Sequence, residues 1–170
     1  GTLGAVGRIS TDGVVTHYPL PSSVAGTLTA ITNGPDGALW FIDSLTQGPK
    51  IGRITTKGET TFFDAPGAFS SLVAGPDGAL WYVGGGLTVG RMTTSGSVTT
   101  YNCNGQVIAS SSSGACFPDQ AARGPNGTIW FTDLKRGYIV QGTVGGLTVT
   151  GLSPTSAAEG ATTDLKLTVN

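Results

Sequence analysis

Residues 34–41 read Gly34-Pro35-Asp36-Gly37-Ala38-Leu39-Trp40-Phe41, and this stretch decides the fold because it returns twice. It recurs as Gly75-Pro76-Asp77-Gly78-Ala79-Leu80-Trp81-Tyr82 and as Gly124-Pro125-Asn126-Gly127-Thr128-Ile129-Trp130-Phe131, at spacings of 41 and 49 residues. Gly-Pro-Asp-Gly suits a tight turn, since Pro presets φ, Asp tolerates the third position and Gly accepts a left-handed conformation at the fourth. The flanking segments alternate apolar and polar residues, which is typical of β-strands. Each copy therefore predicts a β-hairpin.

A second motif, Gly-Arg followed by Ile or Met, alternates with the first. Its copies are Gly7-Arg8-Ile9, Gly52-Arg53-Ile54 and Gly90-Arg91-Met92. Each copy is followed by a turn that contains Gly, and then by a Thr-rich strand that ends in an aromatic residue. The two hairpins together predict four antiparallel strands in about 40 to 45 residues, the repeat length of a β-propeller blade.

The predicted fold class is all-β: a partial or small β-propeller of four-stranded antiparallel blades, with one extra strand near the C-terminus. The repeats cover residues 1–150, of which residues 1–20 supply only the third and fourth strands of a blade. The complete blades are predicted at residues 28–64, 69–102 and 119–150. Residues 151–170 carry neither motif and are interpreted as a linker and a strand.

The composition agrees with an all-β protein and excludes several classes of function. The chain has 170 residues, of which 28 are Gly and only 11% are charged. A hydrophobic fraction of 38% and a net charge of −1 favour a packed core over intrinsic disorder. Nine basic and ten acidic residues, not clustered, give no electrostatic basis for binding nucleic acid or an anionic membrane. No apolar run approaches the roughly 18 residues of a membrane-spanning helix.

Three segments of the repeats closely resemble those of the virginiamycin B (streptogramin) lyase family, and more loosely the NHL-like propellers. They are Leu39-Trp40-Phe41-Ile42-Asp43, Ile51-Gly52-Arg53-Ile54-Thr55-Thr56-Lys57-Gly58 and Thr16-His17-Tyr18-Pro19-Leu20-Pro21. The resemblance covers about residues 5–150. It implies blades of a seven-bladed propeller. It also implies an enzyme that opens the ester of a cyclic antibiotic by elimination, with a divalent metal, a His base and Glu ligands at the central face.

The chain departs from that family at the positions that would carry the chemistry. Where the family's Pro-His-Gly motif has its His, the three repeats have Thr29, Ser70 and Asp119. The family's Trp-Phe-Thr-Glu motif ends here in Asp at Asp43 and Asp133, and reads Trp-Tyr-Val-Gly around Val83. The chain's one His, His17, falls on an outer strand. Elimination needs a base with a pKa near neutral beside the acidic proton, so these repeats alone do not predict lyase activity.

Five residues are the candidates for a site. Thr29, Ser70 and Asp119 are predicted to face the centre of the propeller, where a ligand would bind. Asp43 and Asp133 lie beyond their Trp near one face, and with Asp119 could supply oxygen ligands to calcium or magnesium. The alternative is that these Asp residues cap loops by accepting backbone N–H bonds.

The repeated large side chains have structural interpretations. Trp40, Trp81 and Trp130 are predicted to pack between neighbouring blades rather than to form a binding site. Arg8, Arg53 and Arg91 could form an anion-binding ring. The structural alternatives are that they lie over the outer sheet or that they pair with a carboxylate of the neighbouring blade. Gln141 stands at the corresponding position of the last blade, which weakens the ring.

Cys103 and Cys116 flank a Gly- and Ser-rich insertion at residues 104–115. A disulfide between them would close this loop and restrain it by about 3 kcal/mol in the chain-entropy model. A metal site would need His or further Cys nearby, and none occurs. The pair predicts a disulfide, an oxidising compartment, and thus an extracellular or cell-surface location.

The segment after residue 150 resembles the opening strand of bacterial immunoglobulin-like domains, which begin with a Leu-Ser-Pro-Thr motif. Within it, residues 161–169 alternate and predict a β-strand with Leu165, Leu167 and Val169 on one face. This strand would complete an unfinished sheet of the same chain or of a second copy. Both ends are expected to be cut from a larger protein.

Two functions are compatible with the sequence. The first is a non-catalytic extracellular propeller module that binds a protein, a glycan, a surface or copies of itself. The alternative is a metal-dependent streptogramin B lyase-like enzyme whose catalytic blades lie outside this chain. Further blades with the His and Glu motifs in the full reading frame would favour the enzyme.

Overall fold

The computed structural model describes residues 4–24, 26–44, 48–68, 70–84, 88–101, 107–108, 117–135, 137–143 and 150–152. Within them the chain forms four antiparallel sheets and two 3₁₀ turns, at Ser22–Val24 and Pro125–Gly127. The described part contains no α-helix, and hence none that could span a membrane. The all-β prediction is confirmed.

The first two sheets follow the predicted repeat. The first has two strands, β1 (Ala5–Ile9) and β2 (Val15–Pro19). The second contains, in order, β3 (Thr27–Asn33), β4 (Leu39–Ser44), β5 (Lys50–Ile54) and β6 (Thr60–Asp64). Because Gly7-Arg8-Ile9 in β1 corresponds to Gly52-Arg53-Ile54 in β5, the first sheet corresponds to the outer half of the second.

The third sheet has one strand more than the repeat predicts. Its strands are β7 (Ser71–Ala74), β8 (Leu80–Gly84), β9 (Thr88–Met92), β10 (Val98–Tyr101) and β11 (Val107–Ile108). β11 lies inside the Gly- and Ser-rich insertion and pairs with β10. Cys103 and Cys116 lie outside the described residues, so their disulfide stays a prediction.

The fourth sheet contains β12 (Pro118–Arg123), β13 (Thr128–Asp133), β14 (Tyr138–Thr143) and β15 (Thr150–Leu152). β15 therefore extends past residue 150, so Gly151 and Leu152 belong to this sheet and not to the linker expected there. The strand predicted at residues 161–169 lies outside the described residues.

The Gly-Pro-Asp-Gly turns have the conformation that their sequence predicts. Gly37 and Gly78 have φ of 77° and 72°, the left-handed region that glycine adopts without steric cost. The Gly34 and Gly75 N–H groups donate to the carbonyls of Ala38 and Ala79, both at 2.7 Å. The turn thus closes the hairpin directly in front of each Leu-Trp strand.

The sheets pack face to face in chain order. Val6 and Leu20 of the first unit pack with Phe41 and Ile54 of the second sheet. On the opposite face of the second sheet, Trp40 joins a cluster formed with third-sheet residues Leu72, Leu80, Tyr82 and Met92. The next interface joins Trp81, Val83 and Val89 to Ile129, Phe131 and Val140.

The predicted packing role of the Trp residues is confirmed at two positions. Trp40 and Trp81 are buried, and each also stacks on an aromatic ring of its own sheet, Phe63 at 5.5 Å and Tyr101 at 5.7 Å. Truncating such a buried ring costs about 3–5 kcal/mol. Trp130 of the fourth sheet is only half-buried.

Candidate functional site

The three candidate central-face residues occupy the same repeat position at the start of each sheet's first strand. β3 lies beside β7, and β7 beside β12, so these strands form the inner side of the stack. Thr29 lies where the β3–β4 register shifts, and Asp119 where the β12–β13 register shifts. Ser70 immediately precedes β7, and its N–H donates to Val83 at 3.1 Å.

Exposure at these three positions differs. Thr29 is exposed, whereas Ser70 and Asp119 are half-buried. The Asp119 carboxylate accepts a long hydrogen bond, 3.4 Å, from the side-chain amide of neighbouring Gln120. The two hydroxyl groups and the carboxylate can form hydrogen bonds with a ligand, but none of the three residues is a histidine.

Ser71, one residue after a predicted position, connects two inner strands. Its Oγ accepts the Ala121 N–H at 3.0 Å and lies 3.4 Å from the Ala121 carbonyl oxygen. Ser71 is buried, so its hydroxyl stabilises the contact between β7 and β12 rather than facing a ligand. Sequence reasoning missed it because a single Ser in a strand carries no distinctive pattern.

Asp43 and Asp133 occupy equivalent positions but have different surroundings. Both are buried. Asp133 Oδ1 accepts the backbone N–H groups of Phe117 at 3.0 Å and Lys135 at 3.1 Å. Asp133 is therefore a loop cap, the structural alternative stated for it.

Within the described part of the chain, neither carboxylate oxygen of Asp43 receives a well-formed hydrogen bond. Lys50 is opposite it in the β4–β5 register, but the Lys50 ammonium pairs with the exposed carboxylate of Asp64. Burial raises the pKa of the Asp43 carboxyl, while the Gly26 N–H and the Lys50 charge oppose the rise without cancelling it. Asp43 is thus a buried acid that these two groups compensate only in part.

A divalent cation does not fit the described residues. Calcium and magnesium need several convergent oxygen ligands. Within the described part of the chain, no three His, Cys, Asp or Glu side chains come together as such a site requires. Asp43, Asp119 and Asp133 belong to two different sheets, and the family's metal chemistry cannot be derived from them.

The turn Asp of the repeat motif has a role that the sequence did not reveal. Asp36 accepts the Trp40 indole N–H at 2.9 Å through Oδ1, and Arg53 Nε donates to Oδ2 at 2.6 Å. Burial acts to raise the pKa of Asp36, but the bonds from Trp40 and Arg53 outweigh it, and the pKa is lowered.

The third sheet has the same arrangement, here called the Asp77 triad. The Trp81 indole N–H donates to Asp77 Oδ1 at 3.1 Å, and Arg91 Nε donates to Asp77 Oδ2 at 2.6 Å. Burial is again outweighed by the Trp81 and Arg91 bonds, which lower the pKa of Asp77. Arg53 and Arg91 therefore pair with the turn of their own sheet, and not with a neighbouring blade, which was one of the alternatives. In the fourth sheet Thr128 Oγ1 accepts the Trp130 indole N–H instead, at 2.9 Å.

His17 lies on the outer strand β2, opposite Gly7, and is exposed. Its place on the outer strand separates it from the positions of Thr29, Ser70 and Asp119 on the inner strands. The one imidazole of the chain is thus not placed to act at the central face.

The sheets repeat a four-stranded antiparallel unit, and they stack on one another through interfaces that contain Trp40 and Trp81. This architecture, with hydroxyl and carboxylate groups on the inner strands, defines a β-propeller protein. The sequence profile of the virginiamycin B lyase family matches residues 2–109, and the chain belongs to this family. No curated protein sequence matches it.

Solved structures agree with that assignment. The chain is similar to virginiamycin B lyase from Staphylococcus aureus, with 30% identity, a TM-score of 0.72, and coverage of 90% of this chain and 50% of the lyase. It is also similar to a catalytically inactive histidine-to-alanine variant of that enzyme solved with quinupristin, at 32% identity and a TM-score of 0.70, covering 86% and 47%. A Bacteroides caccae protein of unknown function shares the fold, at 16% identity and a TM-score of 0.59, covering 88% and 54%. The chain spans about half the length of the lyases it matches.

Proposed function

We propose that this chain is a non-catalytic, extracellular propeller module that binds a protein, a glycan or further copies of itself. The observation that carries the proposal is the chemistry of the inner-strand positions, which hold Thr29, Ser70 and Asp119 and no imidazole. Hydroxyl groups of Thr and Ser are poor bases near neutral pH, and elimination needs a base held beside the acidic proton.

The similarity to the inactive lyase variant supports this proposal. In that protein, replacing one histidine by alanine accompanies loss of catalysis. The single histidine of this chain is exposed on the outer strand of the first sheet. The described residues also lack a cluster that would hold a metal ion.

The second candidate is a lyase whose catalytic blades lie outside these 170 residues. It is favoured by the 30% identity to the Staphylococcus aureus enzyme and by the coverage of only half of that chain. The sequence of the complete reading frame distinguishes the two. Further repeats with the family's His and Glu motifs would favour the enzyme.

The direct test incubates the purified chain with quinupristin, with and without magnesium, and follows the antibiotic by chromatography. The Staphylococcus aureus lyase is the positive control, and its inactive histidine-to-alanine variant is the matched negative control. We expect this chain to behave as the inactive variant does. Metal-dependent turnover above the rate without enzyme would overturn the proposal.

A further inference from the structure

The third sheet carries a fifth strand on its outer edge. β11 lies antiparallel to β10, with Thr100 opposite Ile108 and Tyr101 opposite Val107. No described strand covers the outer edge of β2 or of β6, the corresponding strands of the first and second sheets. The outer edge of the repeat is therefore able to accept a further strand, and in the third sheet it holds one.

The pairing of β10 with β9 fixes which backbone groups point to that outer edge. The Thr93 N–H donates to the Ser97 carbonyl at 2.9 Å, so these two residues form a hydrogen-bonded pair. Hydrogen-bonded and non-hydrogen-bonded pairs alternate along an antiparallel ladder. In the β9–β10 register, Thr99 therefore bonds to β9, whereas the N–H and carbonyl groups of Val98 and Thr100 point outward. Each of these two residues offers a donor and an acceptor to an added strand.

β11 uses only part of that edge. It is two residues long, and Thr100 is the one outward-facing residue of β10 that it reaches. On this side, Val98 lies opposite no described strand. A longer strand would pair with both residues. Because each additional backbone hydrogen bond favours pairing, such a strand would compete with β11 for the edge.

β10 also lacks the features that protect the other outer strands against strand addition. Proline and charged side chains are common protective features of sheet edges. β2 ends in Pro19, and β6 ends in Asp64, whose side chain is 85% exposed. The four residues of β10 are Val-Thr-Thr-Tyr, all half-buried, and include neither proline nor a charge. The edge is thus uncharged and consists of residue types that favour strands, so the segment that fits it is also uncharged and extended.

The core behind this edge holds β10 in place. The Tyr101 ring stacks on that of the buried Trp81, with the ring centroids 5.7 Å apart, and Val98 packs against the cluster between the second and third sheets. Arg91, the one charged residue of β9, bonds to Asp77. A strand that is already ordered reduces the entropic cost of binding a ligand.

We infer that the outer edge of β10 is a β-strand-addition site for a partner protein, and that β11 occupies this site in the unbound chain. The ligand is an extended, uncharged segment at least as long as β10, which has four residues. It pairs antiparallel with β10 through the backbone groups of Val98 and Thr100, and these hydrogen bonds supply the affinity. β11 is then a competitor within the chain. This inference rests on the proposed binding role and specifies the site and its partner.

The test follows a labelled synthetic peptide with the sequence of residues 104–111 by fluorescence anisotropy. This peptide is uncharged, and in the register of β11 it reaches Val98 as well as Thr100. The receptors are the full chain and its Ile108→Pro variant, in which β11 lacks the N–H that faces β10. A competitor in place about 90% of the time weakens the apparent affinity about tenfold. We expect the variant to bind the peptide about tenfold more tightly than the unchanged chain, or better.

Two N-methylated peptides test the pairing without a change in the protein. Methylation of the backbone nitrogen of Ile108 in the peptide removes the N–H that bonds to Thr100. It should weaken binding to the Ile108→Pro chain by about tenfold, the loss expected for one well-formed hydrogen bond. Methylation at Val107, whose N–H points away from β10, should leave the affinity unchanged.

Two proline substitutions, each combined with Ile108→Pro, locate the site on the chain. Thr100→Pro removes an outward N–H of β10 and should abolish peptide binding. Thr60→Pro is the matched control on β6. The Thr55 N–H donates to the Glu59 carbonyl at 2.9 Å, so β6 has the same alternation and the Thr60 N–H also points outward. Proline is tolerated at such edge positions, and Thr60→Pro should leave binding unchanged.

Equal binding of the two methylated peptides, or equal binding by the Thr100→Pro and Thr60→Pro chains, would overturn the inference. Replacement of both Val107 and Ile108 by Gly is a second way to weaken β11 if the proline variant does not fold. Absence of peptide binding to either variant would overturn the inference too. Self-association that blocks the peptide would do the same, because the occupant would then be a second copy. Turnover of quinupristin would overturn the proposed function and leave this edge site standing.

Discussion

The ring of Phe41 occupies the space that any side chain at Gly52 would need, with Phe41 Cζ 2.2 Å from the position of a Cβ there. Gly52 is directly opposite Phe41 in the β4–β5 register. The glycine of the Gly-Arg motif is thus required by the aromatic residue of the Leu-Trp-Phe motif. Two motifs that look independent in the sequence are two halves of one contact.

Gly52→Ala and Gly90→Ala should therefore destabilise the fold. Alanine is usually better than glycine inside a strand by about 0.5–1 kcal/mol, but here the added methyl group meets a buried ring. Overpacking of this kind costs about 1–3 kcal/mol. Urea unfolding followed by Trp fluorescence measures the loss.

Gly7→Ala is the matched control, because a Cβ at Gly7 has no neighbour within 4 Å among the residues that the structure describes. Its free energy of unfolding should stay within about 0.5 kcal/mol of wild type, as for other unconstrained surface positions. A loss at Gly7 as large as that at Gly52 would contradict the role given to the Phe41 ring.

The repeat could be predicted from the sequence because the turn motif constrains the backbone locally. Gly37 and Gly78 must adopt positive φ, and the strands on both sides alternate, so hairpins and their order followed directly. The two-residue strand β11 could not be predicted, since Val107 and Ile108 are too short to show a period. Its existence depends on pairing with β10, which only the folded sheet provides.

The hydrogen-bond partners of the candidate site residues could not be predicted from the sequence, because they too depend on the folded structure. Asp43 and Asp133 occupy the same position of the repeat motif, yet only Asp133 receives well-formed bonds from two described backbone N–H groups, those of Phe117 and Lys135. Phe117 lies two residues after the Gly- and Ser-rich insertion at residues 104–115. Loop contacts of this kind depend on tertiary structure, whereas the motif specifies only the residue type.

The Asp77 triad should make stability fall on acidification. The pKa of Asp77 is lower in the folded chain than in the unfolded one, so its contribution is complete above the unfolded pKa of about 3.9. It is lost as the pH falls through that value towards the folded pKa. Asp77→Asn should lower the free energy of unfolding at pH 7 by about 1–3 kcal/mol, and the difference from wild type should shrink towards pH 3.

Asp64→Asn is the control for that measurement. Asp64 also pairs with a cation, Lys50, but its side chain is 85% exposed. Solvent-exposed ion pairs contribute about 0–1 kcal/mol, so this variant should differ little from wild type at either pH. A gap between wild type and Asp77→Asn that stays constant from pH 7 to pH 3 would argue against the triad.

Cys103 and Cys116 are expected to be bonded to each other in the native protein. They flank one insertion, and a bridge would restrain that loop by about 3 kcal/mol in the chain-entropy model. Intact-mass analysis after alkylation, with and without prior reduction, measures the number of free thiols. Alkylation of both cysteines without reduction would show that the two thiols are free. The main reason for proposing an extracellular location would then be lost.

Asp43 and Asp133 should respond in opposite directions to the same substitution. Asp133→Ala removes the acceptor of two backbone N–H bonds and should cost about 1–3 kcal/mol. Asp43→Ala removes a buried carboxylate that the Gly26 N–H and the Lys50 charge compensate only in part. It should raise the free energy of unfolding at pH 7 by about 1 kcal/mol, since an incompletely compensated buried charge is unfavourable. The pKa of Asp43 is raised in the folded chain, so the penalty is present at neutral pH and disappears as the pH falls through that raised value. The gain from Asp43→Ala should therefore be smaller at pH 4.

Melting curves of both variants, with calcium or with a chelator, provide the check. A loss of stability in Asp43→Ala, together with a calcium-dependent rise in the melting temperature of wild type alone, would show that Asp43 binds a cation and would reverse its assignment as an incompletely compensated acid.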